Sequence, residues 1–321
     1  MSKPLKILVI RLSSIGDIVL TTPVLRCLNK QLNAEIHFLT KKEYVCLLEK
    51  NPYLHQIHVY NTEHDNLKNI RFDKIIDLQN NFRTFKLKVF LGVKSVNFKK
   101  LNLERWLLIH FNINLMPNKH IVDRYFDTVL NLGVCNDHKR LDYFIKKEKS
   151  QTYKSKNKYI CWSLSASHQN KKLSTKQIIE TINKIQEKID VIFIGGQKEN
   201  NQAEEIIKLT TNIKNKEVYN FCGLSINESA IIIRDCKLFF TNDTGMMHIA
   251  SSFNKAMISF WGCTKPVLGF SPYLNENSKM LISNSRKNPC SKHGKRCKKN
   301  KTCIKSISSE EIYNAYLSFI E

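Results

Sequence analysis

KLFFTNDTGMMHIA, residues 237–250, passes from a short apolar run through Asn-Asp-Thr-Gly into a second apolar run. The first run has the length and composition of a buried strand, and the second fits the start of a helix. Asn, Asp and Gly at such a junction cap a helix and relieve the backbone. The same geometry aims free N–H groups and the positive end of a helix at whatever lies above a sheet, which is how α/β proteins hold phosphate. Both readings stand on this stretch alone. KILVIRL (6–12) followed by SSIGD repeats the pattern near the N-terminus, leading into DIVLTTPVLRCLNKQ with apolar residues at helical spacing and a kink expected at Pro23.

Between these two turns the same units recur. EIHFLT (35–40), QIHVY (56–60) and DKIIDLQ (73–79) read as strands separated by amphipathic stretches, and HIVDRYFDTVLNLGV (120–134) as a helix ending at Gly133. KKEKSQTYKSKNK (146–158) is polar and without periodicity, the composition of a linker. Beyond it come strands at YICWSL (159–164), DVIFIGG (190–196), EVYNFCG (217–223), KLFFTND and AMISFWG (256–262), with helices near 174–189, 199–209 and 225–236. Alternating strands and helices predict parallel sheets. Two α/β domains are therefore expected, at 1–150 and 151–321, with ligand sites at the carboxyl ends of their strands.

Lys plus Arg number 51 against 28 Asp plus Glu, a formal net charge of +23. Such an excess favours anionic contacts, although the Lys, Asn and Ile richness is also that of an A/T-biased coding sequence. The charge is uneven. Residues 83–105 carry Arg83, Lys86, Lys88, Lys94, Lys99, Lys100 and Arg105 against Glu104 alone, and residues 286–305 hold nine basic side chains and no acid. The early apolar run is broken by Lys6 and short for a signal sequence, and no uninterrupted apolar segment reaches the roughly 20 residues of a membrane span. A cytoplasmic protein is expected. Cys27, Cys46, Cys135, Cys161, Cys222 and Cys236 read as small buried hydrophobes in a reducing compartment. Cys290, Cys297 and Cys303 sit in PCSKHGKRCKKNKTC (289–303), whose spacing matches no common zinc pattern; a structural loop is favoured over a metal site, with His293 the available fourth ligand in the second case.

RLSSIGDIVLTTPVL (11–25) together with TNDTGMMHIASSFNKAMISFWGCTKP (241–266), and between them IDLQNNFRT, HIVDRYFDTVLNLGV, SASHQNKKLS and FIGGQKE, resembles the ADP-heptose:lipopolysaccharide heptosyltransferases, glycosyltransferase family 9. The resemblance implies an α/β protein of GT-B architecture, two Rossmann-like domains with parallel sheets facing a central cleft, and inverting transfer of a heptose from ADP-heptose to a lipopolysaccharide inner core. It places Asp17 in the general-base position, where spacing alone reads a first-turn helix acid. Asp243, Thr244, Gly245 and His248 match the nucleotide-diphosphate site; His248 read alone is a helix residue packed at the domain face. Lys171, with Lys172 beside it, matches a donor-side lysine, and Glu199, one of several nearby acids, matches an acid contacting the adenosine portion. Ser13, Ser14, Arg83, Lys86, Arg105 and Arg124 are the acceptor contacts expected for an anionic glycolipid, each arginine also readable as a solvated helix residue. Two departures are visible: Leu173-Ser174 where Trp-Pro is common, and Met246 where Pro is frequent.

The implied partners are a nucleotide sugar, an anionic acceptor of lipid A-core type and the inner face of the cytoplasmic membrane, visited peripherally. No cofactor and no metal are expected, since Lys171 and a helix end can supply the positive potential. A nucleic-acid partner is disfavoured because no helix-turn-helix, zinc finger or aromatic single-strand platform is visible. A nicotinamide dehydrogenase fails because SSIGD, not G-x-G-x-x-G, follows the first strand. The remaining alternatives keep the fold: a glycosyltransferase using another nucleotide sugar, or an inactive sugar-nucleotide binder.

Overall fold

The computed structural model describes residues 3–61, 64–146, 157–210, 216–298 and 303–320. Most of the expected linker, 147–156, lies outside the described residues. In chain order the elements are β1 (Lys6–Ile10), α1 (Ile15–Val19), α2 (Thr22–Leu32), β2 (Glu35–Thr40), β3 (Gln56–Val59), α3 (His64–Asn69), β4 (Lys74–Asp77), α4 (Phe82–Leu91), β5 (Ser95–Asn97), α5 (Asn102–Phe111) and α6 (Ile121–Phe126). They continue with β6 (Tyr159–Ser163), α7 (Thr175–Lys184), β7 (Asp190–Gly195), α8 (Asn200–Thr210), β8 (Val218–Cys222), α9 (Ile226–Asp235), β9 (Leu238–Asn242), α10 (Gly245–Ser252), β10 (Met257–Trp261), β11 (Ser278–Ile282) and α11 (Ser309–Leu317).

The strands form two sheets, ordered β3-β2-β1-β4-β5 and β11-β10-β9-β6-β7-β8. Every strand pairing is parallel, so both faces of each sheet need cover and the strands read as continuous apolar runs. The chain divides into two compact units that are not simple halves. Unit 1 comprises residues 1–101, 118–146 and 269–274; unit 2 comprises 102–117, 147–268 and 275–321. Helix α5 thus belongs to the second unit and a short piece of the later chain to the first. In unit 1, Leu8, Ile10, Ile75 and Leu87 pack in one buried cluster. In unit 2, Trp162 lies stacked on Phe240 at 4.4 Å between ring centroids, inside a cluster that also holds Phe193, Phe260 and Tyr316.

Several elements differ from the sequence reading. The helix after SSIGD is not one kinked rod: α1 ends before Leu20, and Pro23 sits in the first turn of α2, where its missing N–H costs nothing. The helix expected over 120–134 stops at Phe126. Thr128 and Val129 then donate to carbonyls three residues back, and a 3₁₀ turn runs to Gly133, whose φ of 75° ends it. Among the cysteines, Cys27, Cys161 and Cys236 are buried as expected, but Cys46 and Cys135 are exposed and Cys222 is half-buried.

Candidate active site

In an open parallel sheet the crevice forms where neighbouring strands send their connections in opposite directions. In unit 1 that place is the carboxyl end of β1 beside β4. Arg11 follows β1 directly, and its guanidinium donates to the carbonyls of Leu78, beyond β4, at 2.6 Å and of Ser13 at 2.8 Å. Leu12 N–H donates to Gln79 Oε1 at 3.0 Å, tying the two strand ends together. The third guanidinium nitrogen meets Asp17 Oδ1 at 2.7 Å. Asp17 Oδ2 accepts from the Ser14 hydroxyl at 2.8 Å and the Ser14 N–H at 3.2 Å, as a third-position acid reaching back to the start of its helix. These contacts use three of the roughly four acceptor positions of a carboxylate and leave one on Oδ1. The side chain is 24% exposed. Burial pushes the Asp17 carboxyl up, but the Arg11 charge and the bonds from Ser14 and Arg11 outweigh it and hold it below the ordinary 3.8. Asp17 is therefore ionised, oriented and open on one oxygen.

In unit 2 the corresponding place is β6 beside β9. Asn242, the last residue of β9, donates through Nδ2 to the carbonyl of Ser165 at 3.2 Å, closing the loop after β6 onto the loop after β9. Asp243 follows; its Oδ2 meets Lys171 Nζ at 2.6 Å and accepts from Thr264 Oγ1 at 2.7 Å. Lys171 is 8% exposed, so this is a mostly buried ion pair with a hydroxyl completing it. Thr244 is the N-cap of α10 in extended conformation, without a side-chain cap bond, and Gly245 opens the helix. An uncapped helix start at a strand end presents backbone N–H groups and the positive end of the helix dipole to an anion. His248 is buried one turn further along α10.

The adjacent lysines separate cleanly. Lys171 goes to Asp243, whereas Lys172 pairs with Glu199 Oε1 at 2.5 Å. Glu199 Oε2 accepts the Gly196 N–H at 2.9 Å, so its carboxylate closes the turn after β7. Gly195 is required there, because a Cβ at that position would stand 2.9 Å from Glu199 Cβ. The basic residues expected at the acceptor are divided. Arg83 and Lys86 are exposed on α4. Arg124 is buried, donates to the Lys99 carbonyl at 2.9 Å and lies 5.1 Å over the Phe98 ring. Arg105 is also buried and sits on α5, in the second unit, bonded to Asn102. Neither arginine is a solvated helix residue. Arg11, Gln79 and Thr264 escaped the sequence reading, although an arginine directly at the end of an apolar strand and before a turn was a visible signal for the first.

Residues 64–301 match the model of glycosyltransferase family 9 (heptosyltransferase). Lipopolysaccharide heptosyltransferase 1 of Campylobacter coli is 24% identical over 96% of this chain and 97% of its own length. A family 9 glycosyltransferase from Veillonella parvula superposes with a TM-score of 0.79 over 100% of this chain and 98% of its own, at 19% identity. The E. coli ADP-heptose lipopolysaccharide heptosyltransferase II does so with 0.73 over 98% of both chains, at 18% identity. These superpositions carry the GT-B fold, and the family match carries the chemistry. The chain belongs to glycosyltransferase family 9, the heptosyltransferases, and is a glycosyltransferase.

Proposed function

We propose that the chain transfers a heptose with inversion from ADP-heptose to an anionic lipopolysaccharide inner-core acceptor, with Asp17 as general base. The observation that carries this reading is the Asp17 carboxylate, ionised and with one oxygen position open at the crevice of unit 1. In the step, the acceptor hydroxyl oxygen attacks the anomeric carbon as its proton passes to Asp17. The bond from that carbon to the β-phosphate oxygen breaks, and its electron pair leaves with ADP. A carboxylate of low pKa is a weak base toward a resting alcohol, so proton transfer is tied to the moment when bond formation has made the hydroxyl acidic. On the donor side, the start of α10 and the Lys171 ammonium stabilise the departing diphosphate. Asp243 orients that lysine, since its carboxylate cannot favour phosphate by charge.

No dissociable metal enters this step, and brief treatment with EDTA should leave turnover unchanged; a large loss overturns that part. Ser13, Ser14, Arg83 and Lys86 take the acceptor. The chain works at the inner face of the cytoplasmic membrane, and α4 supports this: Phe82, Phe85, Val89 and Phe90 are exposed beside Arg83 and Lys86, whose ammonium lies 4.7 Å over the Phe82 ring. Apolar side chains beside cations suit an anionic lipid surface, each cation adding about 1 kcal/mol. Among the described residues no helix is long and apolar enough to cross a membrane. Co-sedimentation with anionic but not zwitterionic vesicles, lost at high salt, is the expected result.

The test of the central reading is transfer from ADP-heptose to a truncated core, comparing the wild type with Asp17→Ala while ADP binding is followed separately. Transfer lost with ADP binding kept supports the base assignment. ADP binding without transfer by the wild type overturns the donor or acceptor, and a screen of nucleotide sugars then replaces it.

A further inference from the structure

Residues 284–303 contain no aliphatic or aromatic side chain, only Cys290, Cys297 and Cys303, Pro289 and polar residues. Among the described residues of this stretch there is no helix or strand, yet Cys290 and Cys303 are 3% and 1% exposed. A segment this polar has nothing with which to make a hydrophobic core and needs another tie. The tie is sulfur. Cys290, Cys297 and Cys303 present sulfur atoms all within 4.8 Å of one another. The separations are 3.8 Å for Cys290 to Cys303 and 3.4 Å for Cys297 to Cys303. Cys263, fully buried just beyond β10, belongs to the same cluster, whose members are all cysteines.

We infer that Cys263, Cys290, Cys297 and Cys303 form a tetrathiolate site for a divalent metal ion, zinc or iron, that fixes this loop. The distances decide between bridges and ligands. A disulfide brings sulfurs to about 2.0 Å. Four sulfurs around one ion at about 2.3 Å stand about 3.8 Å apart along the tetrahedral edges. The Cys290–Cys303 and Cys297–Cys303 separations belong to the second geometry, and Cys263 packs against these three as the remaining sulfur, one that has to swing in to complete the tetrahedron. Four soft sulfur ligands select zinc or iron over magnesium or calcium. On binding, each thiol yields its proton to solvent, so four thiolates and a divalent ion leave a net charge of minus two. Lys265, buried beside the cluster, and the exposed Lys295 and Arg296 offset it. His293, the other available donor in this stretch, is exposed and outside the sulfur cluster.

The site would be structural, and it lies next to the donor-side lysine. Asn170 Nδ2 donates to the carbonyls of Gly294 and Lys295, both at 3.1 Å. Gly294 presses so closely on Lys171 that a Cβ there would stand 2.6 Å from Lys171 Cγ. An ion holding the loop therefore braces the Gln169–Lys171 turn from behind. This inference goes beyond the transfer reaction and does not rest on it.

The test is elemental analysis of the full chain purified without added metal, after brief EDTA and desalting. About one zinc or iron per chain is expected, released when a mercurial titrates the thiols. Protein refolded with Co2+ should show the intense sulfur-to-cobalt charge-transfer absorption of a tetrathiolate site. Cys297→Ser and Cys303→Ser should each lose the ion and speed hydrogen exchange at residues 169–171 about tenfold, whereas Cys135→Ser, in unit 1, keeps both. Absence of metal together with failure to take up Co2+ overturns the proposal. So does an ion retained in both serine variants, or a Cys297–Cys303 disulfide found in the purified protein. Because the cobalt experiment uses the wild type, a variant that fails to fold does not rescue the idea.

Discussion

The two strand-end turns solve one problem in opposite ways. Each holds an acid in a carboxyl-end crevice and neutralises it with a base: Asp17 with Arg11 in unit 1, Asp243 with Lys171 in unit 2. The unit 1 pair is nearly local, with Ser14, Asp17 and Arg11 inside seven consecutive residues. The unit 2 pair is gathered from three connections, at Lys171, Asp243 and Thr264. A local site forms as soon as its strand, turn and helix form, and it tolerates change elsewhere. A gathered site depends on tertiary packing, and losing one member strands the others in a buried place.

The sharpest way to break this comparison is to neutralise each acid. Asp17→Asn should cut kcat by about 10³-fold, within the range for a lost general base, with melting temperature almost unchanged. Asp243→Asn should cost about 3 kcal/mol of stability, because Lys171 then loses its partner while buried, and denaturant unfolding would show it. Equal stability losses in the two variants would refute the distinction.

A long-range tie of another kind is His120. Its Nδ1 accepts the Val122 N–H at 3.2 Å and its Nε2–H donates to the Ser271 carbonyl at 2.9 Å, which fixes the neutral ring and pins residues 269–274 to unit 1. Burial drives its pKa from 6.5 down to about 4. The unfolded chain therefore binds the proton first. Stability from this group is complete above about pH 6.5 and declines as pH falls toward 4, by up to about 3 kcal/mol. His120→Gln should flatten the acid slope of stability over that window.

On the local side, Arg11→Gln removes the charge that holds Asp17 low. The acid limb of the kcat/KM profile should then move upward by about one pH unit. Ser14→Ala, the smallest change, removes one bond to Asp17 and should cost at most about 1 kcal/mol, read as a small fall in melting temperature. A larger effect of Ser14→Ala than of Arg11→Gln on the pH profile would reverse the order of the two partners.

The sequence spoke most clearly where structure is local. Strands such as EIHFLT coincide with β2, because β-branched and apolar runs between turn-formers have few other uses. Arg11 was silent because one of its three partners, a carbonyl 67 residues away, comes within reach only once β1 and β4 are side by side. Arg105 looked like part of the basic run near Arg83, but helix packing placed it in the other unit. The cysteine cluster was half legible: three members share one segment, and Cys263 joins them only through the end of β10. β11 and α11 passed unnoticed, the former because SKMLI is a short, half-exposed edge strand.

The two exchanged segments bear on how the chain is made. Unit 1 is completed by residues 269–274, so on the ribosome it waits, missing that piece, until most of the 321 residues have emerged. Unit 2 likewise needs residues 102–117, synthesised before its first strand. An N-terminal domain usually finishes folding while the next is translated; here the last contacts of unit 1, those of residues 269–274, form only after that segment has been made. A gene cut between residues 146 and 147 would yield two fragments, each lacking part of its own fold.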